Sequence, residues 1–381
     1  MVIADLHIHS RYSLATSKDC TPECLNDWAR RKGIGILGTG DFTHRAWREE
    51  LTEKLAPAED GFYRLKDEYS IASPGATAGL LPRFVVSGEI SSIYKKNGKV
   101  RKVHSLILLP GLAEAKRLSQ KLETIGNLHS DGRPILGLSC HDLLAITLEI
   151  CPRALYVPAH IWTPHFSLFG ACSGFDTIEE CFEDLTPYIH ALETGLSSDP
   201  GMIRHWSALD RFQLISNSDA HSPTKLGREA NLLDIEVSYN GLSRGIQQGE
   251  GLAGTLEFFS EKGKYHYDGH RKCHVCLSPA EAEKHDGICP VCGRKLTNGV
   301  LHRIEQLADR EKGFWPQGTK PFESLVPLAE LIAVALGCSV TSVKVKRQYD
   351  EMIEKLGPEL EILRTMPLTE ISAVSGDCVA E

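Results

Sequence analysis

Within the first ten residues an apolar start, Val2-Ile3-Ala4, runs into Asp5-Leu6-His7-Ile8-His9-Ser10. Side chains alternate between the faces of a strand, so Asp5, His7 and His9 leave the strand end on one side as three carriers of lone pairs. That is a metal clamp. A lone His-x-His is common and would pass for an ordinary strand with two solvated histidines. Here the later apolar strand-like runs also end in His, Asp or Glu, as expected if many strand ends converge on one metal cluster.

Taken in order, Thr21-Pro22-Glu23 offers an N-cap, a proline at the first helical position and an acid in the first turn, and Gly33 closes the segment, so residues 22–32 are predicted to be a helix. Ile34 to Leu37 is a short buried strand leading to Thr39-Gly40-Asp41 and His44. Together with the first strand this makes a β-α-β unit and implies a parallel sheet or barrel. Residues 45–56 read as helix. Residues 57–83, with Pro57, Gly61, Pro74, Gly75, Gly79 and Pro82, read as a long excursion. Phe84 to Glu89 is a strand delivering a carboxylate at its end, Lys95 to Lys99 a hairpin turn, and Val103 to Leu109 the outgoing strand. Helices are predicted at 112–125, 141–149, 176–184 and 201–210, and strands at 154–159, 191–193 and 212–216, the first of these strands ending at His160 and the last running into Asn217-Ser218-Asp219-Ala220-His221. Functional residues just after strands fit a βα barrel, whose active sites lie at the C-terminal strand ends.

The composition changes near 240–260, where a domain boundary is expected. Basic residues lead into Cys273-x-x-Cys276 and, twelve residues later, Cys289-x-x-Cys292-Gly293. Beyond residue 300, helical patterns run over 302–312, 323–336 and 341–356. A final helix from Leu368 to Glu381 shows no C-cap, the pattern of a chain cut short.

The length of 381 residues allows two or three domains, or one barrel with appendages. A net charge of −8 argues against a wholly basic nucleic-acid-coating protein while allowing a local positive track. No export signal and no apolar run of membrane-spanning length are present, so a cytoplasmic, nucleoid-associated location away from membranes is expected. Eight of the twelve cysteines are scattered; the other four form two pairs, for which metal binding is the better account than disulfides.

His7, His9, Asp41, Glu89, His104, His160, Asp219 and His221 lie at or near strand ends, too many ligands for one ion. Two or three divalent ions (Zn, Mn or Mg) are expected, with Glu89 as the bridging carboxylate. Such ions bring the pKa of water near 7 and neutralise the oxygens of a displacement at phosphorus, so the implied reaction is phosphoester hydrolysis. Cys273, Cys276, Cys289 and Cys292 match one structural tetrathiolate zinc site.

DLHIHS, GTGD at 38–41, the strand Glu89, KVHS at 102–105, PAH at 158–160 and SDAH at 218–221 resemble the polymerase and histidinol phosphatase (PHP) family. The resemblance covers about residues 1–240. It implies a distorted seven-stranded βα barrel with a trinuclear metal site: His7, His9, Glu89 and Asp219 around one ion, and Glu89, His104 and His160 around a second. Family members commonly carry Thr-Asp-His after the second strand. This chain has Thr39-Gly40-Asp41-Phe42, so Asp41 or His44 would stand beside His221 at the third ion. Asp219, Glu89 and His221 are expected to carry catalysis; His141 and His165 are left as substrate contacts, supporting groups or plain structural residues.

A PHP barrel over 1–245, a zinc ribbon over 255–300 and a helical domain over 301–381 resemble the endonuclease Q family over nearly the whole chain, including GTGDFTH, AHIWTPHFSLFG and SNSDAHSP. Members nick DNA on the 5′ side of deaminated bases (uracil, hypoxanthine, xanthine) and at abasic sites, and the resemblance implies that activity. A flipped base needs aromatic or apolar walls, for which Tyr12, Phe42, Trp162, Phe166 and Phe169 are candidates. The backbone track would use Lys95, Lys96, Lys99, Arg101 and Lys102, or Arg271, Lys272 and Lys344 to Arg347. Docking on a sliding clamp or other repair proteins is left open. The alternatives are a small-molecule phosphoesterase of histidinol-phosphate phosphatase type, which leaves the ribbon and about 130 C-terminal residues without a task, and a catalytically silent DNA-binding scaffold, which would have lost metal ligands.

Overall fold

Thr21 caps the helix Pro22–Lys32 by accepting from the Cys24 amide, and Gly33 ends it at φ 88°. That φ lies in the left-handed region where glycine carries no steric cost. The helix returns the chain so that Val2–Asp5 and Ile36–Gly38 pair in parallel. The structure, a computed structural model, describes residues 1–71, 80–376 and 379. It is a mixed α/β protein built on an 11-stranded sheet.

Along the main path the sheet runs Phe322–Ser324, Leu252–Glu257, Ala230–Leu233, Val2–Asp5, Ile36–Gly38, Arg83–Lys96, Phe62–Leu65 and Leu55–Pro57. Lys99–Leu109 lies antiparallel to Arg83–Lys96 and in turn pairs antiparallel with Leu155–Pro158. Ala191–Glu193 and Gln213–Ile215 form a separate parallel pair. One core cluster draws Ala4, Ile36, Val85, Leu106, Val157, Ala191, Ile215 and Leu233 from eight different strands. The strand ends that face the metal ligands are therefore anchored in a common core.

Several elements differ from expectation. Arg83–Lys96 does not end at Glu89 but continues seven residues further, because it pairs with Lys99–Leu109 from Val86 opposite Leu109 to Lys96 opposite Lys99. Asn97 (φ 52°) and Gly98 (φ 73°) make the two-residue turn, as Asn-Gly favours. Ser91 stands opposite His104. Opposed residues share a face, so His104 emerges on the side of Ser91 and Glu89. The 57–83 excursion contains a hairpin strand, Phe62–Leu65, paired back onto Leu55–Pro57 and Arg83–Lys96; its residues 72–79 lie outside the described residues.

The helix expected at 201–210 is only Pro200–Ile203 followed by a single tight turn at Ser207–Leu209. There the Arg204 guanidinium occupies the carbonyls of Leu209 and Phe212, and the Ser207 amide donates to Asp309 instead of continuing a helix. Past residue 245 the main sheet continues with Leu252–Glu257, and Phe322–Ser324 joins it in parallel where a helix was expected. The helix that follows, Leu328–Ala335, starts after Pro327. The pattern at 302–312 is helical over Val300–Leu307, 341–356 over Val343–Leu356 and 368–381 over Leu368–Ser375, with residues 377, 378, 380 and 381 outside the described set. An additional short helix, Glu359–Arg364, begins after Pro358. Among the described residues no helix is long and apolar enough to cross a membrane.

Candidate metal centre

The chain continues from Val2–Asp5 alongside the segment after Gln213–Ile215. Leu6 N–H donates to Asn217 Oδ1 at 2.8 Å, and His9 N–H to the Ala220 carbonyl at 3.0 Å. This lock sets His7 and His9 beside Asp219. Asp5 turns elsewhere: its carboxylate accepts from the amides of Ser218 and Gly227, so it braces the loop and is not a third ligand on the same face. Burial, only partly offset by those bonds, pushes its pKa up to about 6.

Two groups of potential ligand atoms form, each within 4.8 Å of one another: His7, His9, Glu89 and Asp219, and Glu89, His104 and His160. Glu89 is common to both. Its Oε1 lies 2.6 Å from His104 Nδ1 and 3.0 Å from His160 Nε2, while Oε2 lies 3.5 Å from His9 Nε2. His9 Nε2 is 2.9 Å from Asp219 Oδ1. His7, His9 and Glu89 are fully buried, whereas the Asp219 side chain is 29% exposed.

The other ring nitrogen is tied off on three of the four histidines. His7 Nδ1 sits 3.0 Å from both oxygens of Glu193, which also accepts from Asn217 Nδ2 and the His160 amide. His9 Nδ1 faces Asp41 Oδ1 at 3.1 Å, and His160 Nδ1 faces Thr163 Oγ1 at 3.1 Å. A carboxylate only accepts, so Nδ1 of His7 and His9 carries a proton and Nε2 is the atom left to bind a cation once any second proton is lost. His7 Nε2 is buried with no hydrogen-bond partner, 3.7 Å from each of Glu89 Oε1 and Asp219 Oδ1. A buried ring nitrogen without a hydrogen-bond partner, set between two carboxylates, suits a divalent cation.

Asp41 joins neither group. Besides His9, it accepts from Ser10 N, Ser10 Oγ and Ser13 Oγ at 2.6–2.8 Å, and so orients His9 rather than offering a ligand. His44 stacks on Tyr12 with ring centroids 4.5 Å apart and points Nε2 at the His129 carbonyl. His221 lies with its ring 4.5 Å from that of His9, and its Nδ1 donates to the Asp219 carbonyl at 2.8 Å. Among the described residues no third group forms around Asp41, His44 and His221.

Charge in the centre is strongly biased. Burial works against ionising Glu89, but the charges of His104 and His7 override it and hold the carboxyl well below its ordinary value. Burial likewise lowers His9, yet its bonds to Asp219 and Asp41 outweigh that and push the imidazole up to about 9. An entering cation therefore displaces a proton from His9. Asp41 (φ 49°), His160 (φ 30°), Phe166 (φ 59°) and Asp219 (φ 48°) all sit in the left-handed region. Non-glycine residues there cost about 1–3 kcal/mol each and cluster where a site needs them.

A cavity of about 350 Å³ opens against the second group, lined by His104, His160 and Asp219 and walled by Phe166, Ser197 and Tyr265. Phe166 lies over His104, ring centroids 4.8 Å apart. His165 lines the same space. Phe42, Trp162 and Phe169 are buried in the core and do not face it. Sequence reasoning passed over Glu193, though Ala191-Leu192-Glu193 is one more apolar run ending in an acid, and over Arg133, Ser197, Lys264 and Tyr265, which sit in loops without periodicity.

Of the basic residues proposed for the backbone track, Lys95, Lys99, Arg271, Lys272, Lys344, Lys346 and Arg347 are exposed. Lys96 is paired with Glu183, and Arg101 is buried, donating to the Gly174 carbonyl and lying 4.1 Å over the Phe175 ring. His141 faces Asp142 and Asp184 on the surface, apart from both metal groups.

Around the two Cys-x-x-Cys pairs the structure gathers Cys273, Cys289 and Cys292 with His270, and leaves Cys276 out. The strand register explains this: His270 opposes Val275 and Gly269 opposes Cys276, so Cys276 projects to the face opposite His270. His270 Nδ1 is 3.3 Å from Cys292 Sγ. Although desolvation opposes it, the amides of Cys292 and Val291 bring the Cys289 thiol down to about 6, an arrangement that favours the thiolate. The signal for the histidine was its spacing, His270-x-x-Cys273.

Behind the centre Glu229 and Glu257 are both buried, with Ser216 Oγ 3.1 Å from one and 2.9 Å from the other. A hydroxyl has one proton to donate, so one carboxyl must hold its own. Burial pushes Glu257 up to about 8. Its folded pKa exceeds the unfolded value near 4.5, so the stability it contributes is present at low pH and lost as pH rises from about 5 through 8. Thermal unfolding of Glu257→Gln is expected to be less sensitive to pH over that range than the parent, and parallel melting curves would refute the shared proton.

The family model described as MJ0043 C-terminal domain matches residues 327–381. A Methanocaldococcus jannaschii protein described as uncharacterized protein MJ0043 is 31% identical over 252 residues, 63% of this chain; the chain spans only 31% of that protein. The crystal structure of the lesion-specific endonuclease PfuEndoQ from Pyrococcus furiosus superposes with a TM-score of 0.84 at 30% identity, covering 100% of this chain and 88% of that one. Endonuclease Q in complex with a 27-mer duplex bearing an abasic lesion at the active site gives a TM-score of 0.86 at 30% identity, over 100% and 90%. With that likeness sustained from end to end, the chain belongs to the endonuclease Q family.

Proposed function

We propose that this protein is a metal-dependent DNA endonuclease that hydrolyses the phosphodiester 5′ to a deaminated base or an abasic site. The observation that carries the reading is Glu89, shared by two ligand groups whose His104, His160 and Asp219 line a cavity of about 350 Å³, in a chain alike over its whole length to endonuclease Q. His7, His9, Glu89 and Asp219 would hold one ion and Glu89, His104 and His160 a second. When bound, such ions lower the pKa of water and neutralise charge at phosphorus.

The remaining work belongs to the chain. Glu193 and Asp41 keep the imidazoles of His7 and His9 turned with Nε2 inward. Asp219, the exposed carboxylate, orients the attacking water. Phe166 and Tyr265 wall the space for the extruded nucleotide and exclude solvent from it. The attacking oxygen bonds to phosphorus as the bond to the 3′ oxygen breaks.

We further read residues 1–245 as a PHP-type distorted barrel, 255–300 as the zinc ribbon and 301–381 as the helical domain. Small cores at Ala282, Cys289 and Leu296 and at Leu328, Ile332, Tyr349, Ile353 and Ile371 support the latter two units, while Leu252–Glu257 and Phe322–Ser324 extend the barrel's sheet and Val300, Ile304 and Leu360 pack into its core.

End-labelled duplexes carrying one uracil, hypoxanthine or abasic site, incubated with Mn, Mg or Zn, are expected to be cut immediately 5′ of the lesion. Hydrolysis of phosphate monoesters with no nick in any duplex would overturn the reading in favour of a small-molecule phosphoesterase.

A further inference from the structure

Arg133 stands at the edge of the centre on a loop with little freedom. The Gly132 amide donates to the Tyr12 carbonyl, the Gly132 carbonyl accepts from Thr43 Oγ1, and the Ser91 amide donates to the Pro134 carbonyl. Asp131 Oδ1 accepts from both Leu14 N–H and Arg133 N–H at 3.1 Å. A Cβ on Gly132 would come within 2.4 Å of Asp41 Oδ2, so the loop lies directly on the carboxylate that orients His9.

From this base the guanidinium reaches inward. Arg133 Nη1 is 3.2 Å from Glu89 Oε2, the side chain is 26% exposed, and it lines the cavity with His104, His160 and Asp219. Lys264, the other cation lining the cavity, lies over the Tyr265 ring at 5.0 Å. A guanidinium keeps its charge at any working pH. Placed against a carboxylate that two ligand groups share, it is poorly matched to divalent cations and well matched to an anion arriving over them. Its fork of N–H donors suits the paired oxygens of a phosphodiester better than a point charge would.

We propose that Arg133 is a substrate-contacting residue that grips a non-bridging oxygen of the scissile phosphodiester. This rests on the endonuclease reading above. As water oxygen bonds to phosphorus, the P–O3′ bond breaks with its electron pair going to O3′. That oxygen gains one proton, water loses one, and the products are a 3′-hydroxyl and a 5′-phosphate. Arg133 exchanges no proton; it balances the charge that gathers on the non-bridging oxygens.

The test pairs a residue change with a ligand change in binding, so that it does not depend on turnover. Lesion duplexes are prepared with an ordinary scissile linkage and with an uncharged, uncleavable methylphosphonate there. The ordinary linkage is followed in calcium, with its integrity verified. Wild-type protein is expected to bind the methylphosphonate about tenfold more weakly, and Arg133→Ala to bind both alike. In nicking, Arg133→Ala is expected to be about 10²–10³-fold slower at unchanged metal content, with Arg133→Lys partly restoring the rate. Undiminished discrimination against the methylphosphonate in Arg133→Ala overturns the proposal, as does a lost ion whose excess restores full rate. If the wild-type protein nicks no lesion duplex, the endonuclease reading itself has failed; if it nicks and the variant equals it, only Arg133 has been misassigned.

Discussion

Glu89→Gln is expected to lower nicking by at least about a thousandfold, equivalent to about 4 kcal/mol of barrier. The substitution keeps the size of the side chain but removes the charge that both ligand groups share, and no neighbouring acid replaces it. Asp219 serves only the first group, and Glu193 and Asp41 are engaged behind the imidazoles. An amide would also present its NH₂ or carbonyl without charge to His104 and His160, now 2.6 and 3.0 Å from Glu89 Oε1. Elemental analysis should find both ions of the centre lost and the ribbon ion kept. A variant that retains full metal content and nicks at the parental rate would remove Glu89 from the centre of the argument.

Cys289→Ser is expected to unfold the ribbon without unfolding the rest of the chain. Cys289 is 1% exposed at the middle of a cluster that otherwise holds Ala282 and Leu296 as its buried members. So few apolar groups cannot meet the entropy of ordering some thirty residues, and structural zinc commonly supplies about 10 kcal/mol or more of folding free energy at such sites. The expected readout is loss of one zinc per chain and new proteolysis between residues 270 and 295. Cys276→Ser should leave zinc and proteolysis unchanged, and His270→Ala should not. Equal zinc loss from Cys276→Ser and Cys289→Ser would restore the four-thiolate set.

Local rules made much of this legible from the sequence. The N-cap, proline and terminal glycine bound the helix at 22–32 to the residue, and the Asn97-Gly98 turn is where that dipeptide predicts it. Period-two alternation brought His7 and His9 to one side, apolar runs leading into His or acid pointed to His160 and Asp219, and His104 was marked by KVHS at 102–105. Long-range pairing decided the rest. Asp5 obeys the same alternation but meets the amides of Ser218 and Gly227 before any cation. Asp41 meets two serines and a histidine. Glu89 lies mid-strand because its partner strand continues past it, and Cys276 is turned away by a register that the Cys-x-x-Cys spacing does not encode. Arg133 belongs to a loop whose position depends on contacts with Tyr12, Thr43 and Ser91, none of them near it in sequence.

The first strand also sets an order of events during synthesis. Val2–Asp5 lies between Ile36–Gly38 and Ala230–Leu233, and the Leu6 amide bonds to Asn217 across 211 residues. At roughly 5–20 residues per second, the ribosome exposes His7 and His9 for about 10–45 s before Asp219 and its flanking strand exist. The metal centre is therefore the latch of this part of the fold, closed last by a segment made late. A nascent chain stalled before residue 213 would carry the first two imidazoles with no Asp219 to complete them, and an edge of its sheet would be open to pairing with another chain.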